Sequence, residues 1–127
     1  MDLTELLDVL TVEPDPGGEA DVFVGHSPAD RDRPVYGGQF LAQALRAAGA
    51  TVEPGRRPHS LHAYFVRSGA AKTPIRYEVT RVRDGRSFSH RSVVATQDGK
   101  EVFRQIQSFQ VPTEGLAHSE PFPIAPD

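Results

Sequence analysis

A chain of 127 residues with 38% hydrophobic and 24% charged residues holds enough material for one packed domain and too little for two. Its formal net charge of -3 argues against nucleic acid as the main partner, because phosphate neutralisation needs a basic surface, and no apolar run approaches the roughly 20 residues that span a bilayer. The absence of cysteine removes disulfides, thiol nucleophiles and thiolate metal sites together, and Met1-Asp2-Leu3-Thr4-Glu5 lacks the basic and then apolar layout of a secretory signal, so a cytoplasmic protein without a cofactor is the expectation.

Residues 3–10, LTELLDVL, alternate apolar and acidic positions at helical spacing and predict a short amphipathic helix. PDPGGE (14–19) breaks it, DVFVGH (21–26) reads as a strand, and SPADRDRP (27–34) reads as a loop. Gly37-Gly38 then precede QFLAQALRAAGA, a run rich in good helix formers. Its polar members Gln39, Gln43 and Arg46 share one narrow stripe, and Phe40, Leu41, Ala44, Leu45 and Ala48 occupy much of the rest. A helix so apolar around its circumference is buried on several sides.

The remaining segments supply what buries it. HSLHAYFVR (59–67), IRYEVTRVR (75–83), RSFSHRSVVATQ (86–97) and KEVFRQIQSFQV (100–111) are strand-like. Asp84-Gly85 and Asp98-Gly99 stand between the last three, and Asp-Gly between strand-like runs is a strong hairpin signal. The expected fold is therefore α+β, with an antiparallel curved sheet of about five strands around one long central helix. From Pro112 onward the pattern is lost, and residues 119–127 read as a Pro-rich tail or linker.

The order of motifs now points to a family. Val35-Tyr36-Gly37-Gly38-Gln39, His59-Ser60-Leu61-His62-Ala63-Tyr64-Phe65-Val66-Arg67, Arg83-Asp84-Gly85-Arg86-Ser87-Phe88-Ser89-His90-Arg91, Gln97-Asp98-Gly99 and Ser108-Phe109-Gln110 together resemble the N-terminal half of type II acyl-CoA thioesterases. The resemblance covers about residues 3–118 and implies a single hotdog fold over residues 1–118. It also implies hydrolysis of fatty acyl-CoA to free acid and CoA. Members of that family usually carry two hotdogs, with the catalytic Asp, Ser/Thr and Gln in the second. The resemblance places His62 where the second half has its Asp, and Ser108 near the place of the Gln. A partner chain, a second copy of this chain, or no catalysis at all are the three ways to account for the missing set.

The residues themselves allow several roles. A helix start has unpaired N–H groups and a favourable dipole for developing negative charge. Gly37 and Gly38, without Cβ atoms, would let a thioester carbonyl approach there, and Gln39 would add a side-chain donor; the alternative is a tight entry into a packed helix. His62 has a side chain suited to proton transfer near neutral pH, although a satisfied surface histidine is the commoner case. His59, three residues away, is expected on the opposite strand face, which argues against a metal site, and His26, His90 and His118 show no ligand spacing.

Arg83, Arg86 and Arg91 flank a turn with Ser87 and Ser89, and Arg86 with Ser87 is the pair expected to hold the phosphates of CoA, against the alternative of a solvated hairpin tip. No G-x-S-x-G elbow occurs, which leaves direct attack by water. Asp84 and Asp98 are explained by turns, while Asp21, Asp30 and Asp32 flank or occupy loops. A dehydratase, which would want an acid and a histidine on the central helix, finds neither between Gly38 and Ala50. The expected partners are an acyl-CoA substrate and a second hotdog, as a homodimer, higher oligomer or separate subunit. A non-catalytic acyl-CoA-binding or scaffolding subunit is the alternative.

Overall fold

The structure, a computed structural model, describes residues 2–28 and 34–112. Asp30, Asp32, His118 and the 119–127 tail lie outside the described residues. Helix α1 (Leu3–Leu10) starts on a capping box, in which the Asp2 carboxylate accepts from Glu5 N and the Glu5 carboxylate accepts from Asp2 N. Strands β1 (Val12–Pro14) and β2 (Val22–Gly25) follow, then helix α2 (Gly37–Gly49), and then β3 (Arg57–Phe65), β4 (Ile75–Asp84), β5 (Phe88–Gln97) and β6 (Lys100–Gln110). All pairings are antiparallel, in the order β1-β2-β4-β5-β6-β3.

Among the described residues the sheet thus has six strands, one more than the sequence suggests. The extra strand is β1, hidden because Pro14 reads as a breaker. A proline is tolerated there because β1 is an edge, where a missing N–H costs no ladder bond. The Asp98-Gly99 hairpin is as expected, with both residues at positive φ (50° and 76°). Asp84-Gly85 instead opens a longer loop, closed by Gly85 N donating to Phe88 O at 2.7 Å, so β5 begins at Phe88 rather than Arg86.

Odd-numbered residues of β4, β5 and β6 face α2. Ile75, Tyr77, Val93, Ala95, Phe103 and Phe109 are all buried there against Phe40, Ala44, Ala47 and Ala48. The alanine face lets the helix lie close to the sheet, and Phe40 stacks on Phe103 with centroids 5.3 Å apart. One polar tie crosses this interface. Tyr77 Oη donates to Gln43 Oε1 at 2.7 Å, while Gln43 Nε2 donates to Val9 O at 2.6 Å and His26 O at 3.1 Å. That side chain therefore pins α1, β2 and β4 to α2. Burial drives the Tyr77 phenol well above its usual pKa. The last strand of the order, β3, has one neighbour among the described residues and is exposed at every position but one. No helix among the described residues is long and apolar enough to cross a membrane.

Candidate functional site

The start of α2 is built to leave donors unused. Tyr36 stands at the N-cap and makes no side-chain cap bond, and the bond recorded for the first turn is Gln39 N to Tyr36 O at 3.0 Å. Among the described residues, the Gly37 and Gly38 N–H groups have no partner. Aromatic rings sit on both glycines. A Cβ on Gly37 would lie 3.0 Å from the Phe65 ring, and one on Gly38 would lie 2.5 Å from the Tyr36 ring. The absence of a Cβ lets these two exposed rings lie close on the tip without having to shift. Gln39 is nearly buried, and its Nε2 donates to Ser27 Oγ at 2.9 Å and to His26 O at 3.4 Å. Its amide thus braces the end of β2, which leaves the backbone as the donor at this tip. An apolar cleft of about 650 Å³ opens beside it, walled by Leu6, Val9, Val35, Tyr36, Gly38 and Gln39.

Arg86 and Ser87 lie at the other end of the domain. Helix α2 has 13 residues and is about 20 Å long; its C-terminal end meets the β4–β5 hairpin through Arg91. That arginine is 1% exposed. Its guanidinium donates to Thr51 Oγ1 (2.8 Å), Thr51 O (3.0 Å), His90 O (3.0 Å) and Asp84 Oδ1 (2.8 Å). Ser89 Oγ donates to the same carboxylate oxygen at 2.7 Å and accepts from Arg56 at 3.0 Å. The Ser89 hydrogen bond, followed by the Arg91 one, holds the Asp84 carboxyl below the usual carboxylate range. Of the three arginines in the sequence motif, Arg91 is thus a structural bolt with its donors spent. The Arg83 and Arg86 guanidinium groups make no hydrogen bond or ion pair among the described residues. Strand alternation carries the signal for Arg91, since Ser89, Arg91, Val93, Ala95 and Gln97 form one buried row.

His62 occupies a third place. It pairs across to the exposed Ile106 on the sheet face away from α2, so the structure does not bring it to Gln39 or to the glycines of its own chain. The expected separation of His59 from His62 is overturned. A bulge falls between Pro58 and Ser60, with Pro58 opposite Phe109 and Ser60 opposite Ser108. One extra residue reverses the alternation, and His59 joins His62 on the outer face. There, with His90, Ser60 and Ser108, they line a shallow groove of about 440 Å³.

Residues 26–110 match the family model described as "Acyl-CoA thioesterase N-terminal domain". The chain is 47% identical over 105 residues to human acyl-coenzyme A thioesterase 8, covering 80% of this chain and 31% of that protein. It is 41% identical over 102 residues to acyl-CoA thioesterase 2 of Haemophilus influenzae, covering 80% and 36%. Among solved structures, the tesB protein of Mycobacterium avium subs paratuberculosis superposes with a TM-score of 0.83 at 36% identity, covering 98% of this chain and 48% of the other. The chain spans about a third of the length of these curated relatives.

Proposed function

The chain belongs to the acyl-CoA thioesterase family, whose N-terminal hotdog domain it contains, and from that premise we propose that it is one hotdog unit of an enzyme hydrolysing fatty acyl-CoA to free acid and CoA. The observation that carries the reading is the uncapped Gly37-Gly38 tip beside an apolar cleft. The carbonyl oxygen of a thioester would accept from those N–H groups, which also sit at the positive end of the helix dipole. The acyl chain would run into the cleft. Water attacks the carbonyl carbon, the C–S bond breaks, and the proton the water gives up ends on the departing CoA thiolate, leaving the free acid.

The exposed β3 edge supports a second hotdog as partner. Strand β3 runs from Arg57, opposite Gln110, to Phe65, opposite Phe103, and Phe88 also faces Gln110. A two-fold copy pairing antiparallel along β3 would bring its hairpin end, with Arg86 and Ser87, towards the glycine tip of this chain. Those two residues would then meet the phosphates of a substrate bound at the neighbour's helix. His62 lies on the edge strand and is the side chain to test as base. The cytoplasm is the proposed place of work, in keeping with a chain free of cysteine.

Thiol release from a panel of acyl-CoAs tests this. Gly37→Val, which blocks the tip, should lower turnover at least tenfold, and His62→Ala separates a base from a bystander. Acyl-CoA binding without any turnover would favour the alternative, a binding or scaffolding subunit; the span of only a third of the relatives' length is what keeps it in view.

A further inference from the structure

The outer groove holds a pair of side chains that the helix-tip reading leaves unused. The bulge at Pro58/Ser60 takes His59 out of the ladder with β6 and turns its ring so that Nε2 lies 2.7 Å from Ser108 Oγ. Bulges of this kind re-aim side chains beside functional sites. Ser108 is 8% exposed, sits on the groove between Ser60 of β3 and His90 of β5, and is held by strands on both sides. The His59 ring leans on Phe88 at 5.6 Å, and Phe88 stacks on His90 at 6.4 Å. A hydroxyl within hydrogen-bond reach of an imidazole, on a rigid strand and open to a groove, is the arrangement of a nucleophile and its base. Leu61 and Ile106, both exposed, give the groove apolar walls suited to a short acyl group.

We propose that Ser108, with His59 as its base, is an acyl-accepting nucleophile for small activated esters and thioesters. Ser108 Oγ attacks the carbonyl carbon as its proton passes to His59 Nε2. The bond to the alkoxide or thiolate breaks, and the leaving group takes that proton. Water, giving its proton to His59, then attacks the acyl-serine, and the carboxylic acid departs as Ser108 Oγ recovers a proton from His59. This site lies on the other face of the sheet from the helix tip and goes beyond the acyl-CoA reading.

The test treats the whole chain with a fluorophosphonate probe and with p-nitrophenyl acetate, then maps adducts by peptide mass spectrometry. The expected result is one adduct, on Ser108, absent in Ser108→Ala and formed at least tenfold more slowly in His59→Ala. His59→Gln keeps a hydrogen-bonding group beside Ser108 but cannot act as a base, so it should keep the melting temperature and lose the labelling. The proposal is overturned by no adduct, by an adduct elsewhere only, or by His59→Gln labelling as fast as the parent, which would make the bond a simple tie across the bulge. Because the readout is an adduct and not acyl-CoA turnover, its failure leaves the helix-tip reading standing.

Discussion

The two ends of helix α2 are built to opposite rules. At the C-terminal end, Arg91 is sealed between Thr51, Asp84 and the backbone of β5, and the guanidinium spends its donors on the protein. At the N-terminal end, two glycines carry N–H groups with no partner among the described residues, beneath two rings that lie largely in solvent. One end spends its buried guanidinium on stability, and the other holds polar groups back. The contrast separates residues that look alike in the sequence, since Arg86 and Arg91 share a motif and only one is available to a ligand.

Substitutions should break that contrast unequally. Arg91→Leu removes the bolt and takes from Thr51 Oγ1, the Thr51 carbonyl and the Asp84 carboxylate the guanidinium that donates to them; urea unfolding should show a loss of about 3 kcal/mol. Tyr77→Phe strips Gln43 Oε1 of its donor in the core, and the same measurement should show a loss of about 1–2 kcal/mol. Asp84 contributes less, and its contribution depends on pH. Its folded pKa is lowered, so its stabilisation is present above the unfolded value of about 3.9 and is lost as pH falls through the folded value. The melting-temperature gap between the parent and Asp84→Asn should therefore be visible at pH 7 and close in strong acid. Smallest of all is Gly38→Ala. The Tyr36 ring it meets is exposed and can swing away, so stability should shift by less than about 0.5 kcal/mol while thiol release falls. A large loss of stability there would make the N-terminal tip a packing device like the other end.

Much of the fold was legible because its signals are local. The apolar α2 run, the Asp98-Gly99 turn and the β-rich segments each carry their own pattern. Strand β1 was not, because three residues ending in proline acquire their meaning only from pairing with β2. The site was less legible for the same reason. Gly37 and Gly38 announce a helix start, but nothing in the linear order says that Gln39 spends its amide on Ser27 and His26. Counting by twos along 59–62 puts His59 and His62 on opposite faces, and the bulge that reverses this is a property of the β3–β6 register rather than of either strand.

Hydrolysis of acyl-CoA rests on the glycine tip of α2 working at a paired β3 edge. Its most direct test measures thiol release from acyl-CoA alongside oligomeric state by light scattering, for the parent chain and for Leu61→Pro, which blocks pairing in the middle of β3. Hydrolysis should follow the paired fraction and disappear with it. Equal turnover by a fully monomeric Leu61→Pro, or a paired parent that releases no thiol from any acyl-CoA, would contradict it.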